Sequence, residues 1–326
     1  MRLSSSAWWL APTLVGILSS ASALGFERTR TADGMHFLWW PTRSVGHYVE
    51  VSCALRPSPD PLNPEVLDAG ETVAGYTQAC YAAIEASFEA WENVAGQGCT
   101  NLELPFEGYT TSQEIGYDTD AGTENINIVI FEPQLCENVV PPSDACWDEG
   151  SCDSEYSCFS HGAEVIALTT TTYEPADGTL LDADIELNNA PSDQGGWDFS
   201  AEPVTPLTGT MDIENTVTHE AGHSIGLAHN CGYTGAPACT PILETGVMYA
   251  NSAPGETTKR TLKQDDVNAI CHVYPVGTGT EIVNLLDDTG QSTVQVRSGW
   301  GCSSSTPSAP GWLTLLALGL LRRRRG

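Results

Sequence analysis

The chain has 326 residues and is 41% hydrophobic, which is enough apolar content for the core of one large domain or two small ones. Its 13 basic and 42 acidic residues give a formal charge of −29. Such a surface repels nucleic acid and anionic lipid, so the composition argues against both as partners and leaves proteins or peptides.

Residues 1–23 read as a secretory signal: Arg2, an apolar stretch from Ala7 to Ile17, and the small-residue cleavage pattern Ala21-Ser22-Ala23. Phe37-Leu38-Trp39-Trp40 and Tyr48-Val49-Glu50-Val51 are both strand-like, with Pro41 and Gly46 between them, and a proline-rich loop follows from Pro57 to Pro64. From Tyr76 to Val94, Tyr81, Ile84, Phe88 and Trp91 recur at spacings of three and four, which predicts a helix with one buried face. Asn125 to Phe131 is a β-rich run. So is Val165 to Tyr173, where Thr169 to Thr172 suit a strand with one wet face. A cysteine-dense loop, residues 136–158, separates the two. After the turn at Asp177-Gly178, Leu180 to Leu187 alternates apolar with acidic residues, the pattern of a half-buried strand. A last helix is expected where Thr261 and Gln264 form a capping box and Val267, Ile270 and Tyr274 form a stripe. Residues 276–300 read as a polar linker. Beyond them lie Gly301-Cys302-Ser303-Ser304-Ser305, an apolar run from Trp312 to Leu321, and Arg322 to Arg325. That run has about 10 residues where a spanning helix takes about 20, so residues 301–326 are expected to be a processing tail.

Of the 11 cysteines, Cys302 lies in this tail. The other ten can form five disulfides in an oxidising compartment. No C-x₂-C pair favours thiolate zinc ligation, and Cys231 and Cys239 flank a short Gly/Pro-containing insert as the expected local pair. Asp118, Asp120, Glu124, Asp177, Asp182 and Asp184 offer hard oxygen donors for a structural Ca²⁺, although no EF-hand spacing is present and solvated surface charge is the competing account.

The run from His219 to His229, His-Glu-Ala-Gly-His-Ser-Ile-Gly-Leu-Ala-His, carries the chemistry. On a helix His219 and His223 project from one face and can share one Zn²⁺. Glu220 sits in the general-base position of H-E-x-x-H hydrolases. Gly226 allows the chain to leave the helix and turn back, and His229 completes three ligands with an open fourth position. A chance match to all five fixed identities is on the order of 10⁻⁵ per sequence.

With Gly246-Val247-Met248-Tyr249-Ala250 after it, this run resembles the zinc signature and Met-turn of metzincin metalloendopeptidases. Met211 to Val217, the Met248-Tyr249 pair and Leu262 to Val267 are most similar to matrixins. The resemblance implies an α+β catalytic domain over residues 24–275: a twisted mixed sheet with an early helix, a zinc-binding helix, a Met-turn and a C-terminal helix. It further implies Zn²⁺ on His219, His223 and His229, Glu220 as the catalytic base, Met248 as an apolar floor beneath the metal, and a substrate extended along an edge strand, here Val165 to Tyr173. No Pro-Arg-Cys-Gly element precedes the domain, and His161-Gly162-Ala163-Glu164 lacks the His-x-Asp spacing of the matrixins' second, structural zinc. The tail resembles the myxobacterial C-terminal sorting motif, which implies a sorting protease as partner, membrane contact through the tail alone, and a secreted or cell-surface location. Together these readings describe a secreted zinc endopeptidase. Two rivals fit the same histidines: a surface binding or adhesion protein with a structural zinc, and a non-peptidase zinc hydrolase. An intact Glu220 and an open ligand position argue against the first.

Overall fold

A computed structural model describes residues 25–53, 73–119, 125–201, 209–233, 235–276 and 300–304. The expected signal segment, the proline-rich loop, most of the linker, and the apolar and arginine parts of the tail lie outside the described residues. In order, the elements are β1 (Glu27–Arg28), β2 (His47–Glu50), α1 (Val73–Glu92), β3 (Phe106–Thr110), β4 (Ile128–Glu132), α2 (Cys136–Val139), α3 (Cys146–Glu149), α4 (Cys152–Tyr156), β5 (Val165–Tyr173), β6 (Leu180–Asn188), β7 (Phe199–Ser200), β8 (Met211–Asp212), α5 (Ile213–Ser224), β9 (Leu227–Ala228), β10 (Asn251–Ser252), α6 (Gln264–Val273) and β11 (Trp300–Ser304).

The architecture is α+β. Five strands form a mixed sheet in the order β3-β2-β4-β6-β5, all parallel except β5, which runs antiparallel to β6. Beyond β5 the sheet continues with β11, antiparallel to β5, and then β10, parallel to β11. The sheet is covered on both faces, which is why β4 reads as an unbroken apolar run. Val129 and Phe131 join the main core with α1 and α5, while Ile128 and Ile130 pack with Ile115 on the other face. Ile84, Phe88 and Trp91 of the α1 stripe are buried as their spacing predicts, with Tyr81 at its rim. The Trp91 indole donates to the Thr218 carbonyl at 2.9 Å and the Ser87 hydroxyl to that of Glu214 at 3.1 Å, so α1 is pinned along α5.

Four expectations are revised. Phe37 to Trp40 makes only isolated bridges, Arg30 with Phe37 and Trp39 with Thr179; the Trp40 indole donates instead to the Ser224 carbonyl at 2.7 Å. Thr169 to Thr172 have no wet face, since all four are buried. Nor are the β6 acids solvated. Asp182, Asp184 and Glu186 are buried, with the Ile115-Gly116 segment packed on this face of the sheet. Asp184 accepts from the backbone N–H groups of Gly116 at 2.6 Å and Ile128 at 3.0 Å. Burial raises the pKa of both Asp182, to about 6, and Asp184. Finally, α6 is capped two residues later than Thr261: the Asp266 carboxylate accepts from the Lys263 N–H at 2.7 Å. Of the six acids considered for Ca²⁺, Asp120 and Glu124 lie outside the described residues, and Asp118, Asp177, Asp182 and Asp184 do not join a metal-ligating group among the described residues.

Five disulfides join Cys53–Cys80, Cys99–Cys271, Cys136–Cys158, Cys146–Cys152 and Cys231–Cys239. The last is the pair expected from spacing, and a set of five points to an extracellular protein. No helix among the described residues is long and apolar enough to cross a membrane.

Candidate metal centre

Helix α5 begins at Asp212, whose extended backbone and carboxylate cap it by accepting from the Asn215 N–H at 2.7 Å. Arg260 pairs with that carboxylate and lies 3.5 Å from Glu214, also in the first turn. Every residue of the helix except Glu214 is buried. Gly226 ends it with φ = 86°, and a Cβ there would lie 2.5 Å from the Leu38 carbonyl oxygen, so both backbone conformation and space require glycine. The reversal pairs β9 antiparallel with β1 and delivers His229 to the face that carries His219 and His223.

The three imidazoles converge. His219 Nε2 lies 3.1 Å from His223 Nε2 and 3.2 Å from His229 Nε2. His219 Nδ1 is bonded to the Val247 carbonyl at 2.5 Å and His223 Nδ1 to that of Leu227 at 2.7 Å. A carbonyl only accepts, so Nδ1 carries the proton in both rings and Nε2 presents a lone pair. Burial holds the imidazoles neutral: the pKa of His223 falls to about 4, and those of His219 and His229 fall well below the usual value. Neutral nitrogen donors turned toward one another repel unless a cation lies between them, and three such nitrogens are the donor set zinc prefers. Among the described residues this is the group of side chains able to hold a metal ion.

Supporting contacts come from both sides. A Cβ on Gly222 would lie 2.3 Å from Met248 Sδ and 2.9 Å from the Trp91 ring, so glycine at this position is the notch into which Met248 fits, between the turns that carry His219 and His223. Asp266 on α6 accepts from the Val247 N–H at 3.2 Å, holding the residue whose carbonyl orients His219. Asn230, fully buried, takes the Met248 carbonyl through its N–H at 3.0 Å and gives its amide to the Leu243 carbonyl at 2.8 Å. Glu220 is fully buried, and its carboxylate accepts from the Thr169 hydroxyl of β5 at 2.8 Å.

Thr169 and Asp266 are the residues sequence reasoning missed in a functional setting. Thr169 was legible only as strand, because its partner lies 51 positions away; alternation along β5 could have put it on the α5 face, but nothing local names Glu220 as its acceptor.

No protein-family model and no solved structure matches the chain. It is similar to the metalloendoproteinase 5-MMP of Arabidopsis thaliana, 28% identical over 108 residues. The match covers 32% of this chain and 27% of that protein, so the two share about a quarter of the relative's length. Over this stretch the chain is similar to a protein named as a metalloendoproteinase, and it carries a buried three-histidine group suitable for zinc.

Proposed function

We propose that the chain is a zinc-dependent endopeptidase acting outside the cell, with His219, His223 and His229 as metal ligands and Glu220 as the base. The observation that carries this reading is the convergence of three imidazole nitrogens, two of them fixed as lone-pair donors by backbone carbonyls, next to a buried carboxylate. Zinc, when bound, supplies a Lewis acid that lowers the pKa of water and polarises a peptide carbonyl. Glu220 takes the proton of the attacking water and returns it to the leaving amine. Thr169, through its hydroxyl, holds that carboxylate in place. Met248 fills the notch at Gly222 and keeps the helix and the Met-turn in register. Val165 to Tyr173 is not the open edge strand expected, since β11 pairs with its side away from β6; main-chain recognition of an extended peptide there requires that pairing to open.

The test is cleavage of casein by the purified chain, abolished by a chelator and restored by Zn²⁺. A protein that binds zinc stoichiometrically and cleaves nothing would return the adhesion or structural-zinc reading.

A further inference from the structure

The strand β11 lies where the sequence suggested only the junction of a linker and a tail. It is flanked on both sides, antiparallel to β5, with Trp300 opposite Thr169, Gly301 opposite Leu168 and Cys302 opposite Ala167, and parallel to β10, with Asn251 opposite Ser303. Thr169 is the residue whose hydroxyl bonds Glu220, and β10 follows directly on the Met-turn. The segment therefore passes beside the base, between the strand in front of the metal helix and the chain that closes the site behind Met248. Without it, β5 and β10 would be separated by two strand spacings, about 9.5 Å, the width of one extended peptide.

We propose that residues 300–304 of this same chain are a resident occupant of the slot between β5 and β10, which a substrate peptide must displace. The inference rests on the endopeptidase reading for the nature of the competitor, but the strand pairing stands apart from it. Three features favour a peptide in this orientation. Both walls of the slot are backbone, so affinity comes from main-chain hydrogen bonds and tolerates many sequences. Gly301, Ser303 and Ser304 are small, as suits a strand that must come away again. The 23 residues between Val276 and Trp300 can extend up to about 76 Å, so the chain that ends α6 reaches the slot without a second copy. A tethered strand acts at an effective concentration in the millimolar range, enough to hold off weakly bound peptides and to yield to well-matched ones. Any cleavage before Trp300 would remove the tether and vacate the slot.

The experiment uses the full zinc-loaded chain and its G301P/S303P variant, in which two prolines remove strand N–H groups without touching the metal site. Expected are a two- to tenfold lower KM for an extended peptide substrate with kcat unchanged, and faster hydrogen exchange along β5 from Ile166 to Thr169. A synthetic peptide of residues 298–306 should inhibit the variant competitively. A second measurement does not depend on the variant folding: saturating E220Q with substrate peptide should speed exchange in residues 300–304 while β5 stays protected. Unchanged KM and unchanged β5 exchange in the variant, or exchange in residues 300–304 that does not respond to substrate, would overturn the proposal. If exchange behaves as expected but no form of the chain cleaves a peptide, strand occupancy stands and the endopeptidase reading fails.

Discussion

Two neighbouring threonines on β5 each donate to a buried glutamate, and the glutamates have opposite tasks. Thr169 faces α5 and bonds Glu220 at 2.8 Å; Thr170 faces the other way and bonds Glu186 at 2.9 Å. On the first face the carboxylate stands beside three imidazoles gathered around a cation site. On the second it stands among acids, with Glu132 and Asp153 near enough to act on each other electrostatically beneath the segment tied by Cys136–Cys158 and Cys146–Cys152. One strand and one type of hydrogen bond thus support the candidate base on one face and, on the other, a glutamate beside Glu132, whose carboxyl burial pushes up to about 9. The environment assigns the role, and the residue type does not.

Breaking the first face at its centre should have the largest effect. E220Q keeps the shape of the side chain and removes its capacity to take a proton, so kcat is expected to fall by at least about a thousandfold while zinc stays near one per chain by metal analysis. H229A should lose both zinc and activity, because two imidazoles bind far more weakly than three. Peptidase activity retained in E220Q would remove the mechanism.

The paired threonine variants sharpen the comparison. T169V removes a donor to a charged group, a contribution of about 1.5–3 kcal/mol, so kcat should fall about tenfold or more. T170V, one residue along, should leave kcat alone and lower only the unfolding midpoint.

G222A tests the notch. The added methyl meets Met248 Sδ and the Trp91 ring, and overpacking of this kind costs about 1–3 kcal/mol, read as a lower urea midpoint. Shortening Met248 in the same chain should recover part of that loss, since the two side chains compete for one space.

The contrast between the faces also shows what the sequence could disclose. The metal face was legible because its determinants are local: five fixed identities within eleven residues put two histidines on one helical face, and a glycine turn brings in the third. The Cys231–Cys239 pair, eight residues apart, was legible for the same reason. The acid face was misread. Alternation along β6 signals which side chains share a face but not whether that face meets water, and here chain from a distant position, Ile115-Gly116, packs on it. Cys99 and Cys271, 172 residues apart, were equally beyond local reasoning. So was β11, whose Gly-Cys-Ser-Ser composition carries no strand signal and whose pairing depends on what β5 and β10 leave open.

The smallest effect on catalysis, and the most direct test of the acid face, comes from E132Q. Both carboxylate oxygens of Glu132 are buried without a hydrogen-bond partner, and its pKa is raised from 4.5 to about 9, first by desolvation and then by the charges of Glu186, Asp153 and Glu50. The folded chain therefore keeps a proton that the unfolded chain has lost once the pH exceeds 4.5. Unfolding releases that proton anywhere between 4.5 and about 9, so the favourable contribution is complete below 4.5 and is lost as pH rises through the window. Glutamine needs no proton to stay neutral. Urea unfolding of both proteins at about pH 5, 7 and 9 should show E132Q gaining on the parent with each step, and the difference levelling once Glu132 ionises in the folded state too. Zinc affinity also changes with pH, but it does so equally in both chains and cancels in the difference. At any single pH, kcat should be the same for both. A stability difference that stays flat across the window would show that Glu132 is ionised in the fold, and the contrast between the candidate base on one face of β5 and a protonated carboxyl on the other would no longer hold.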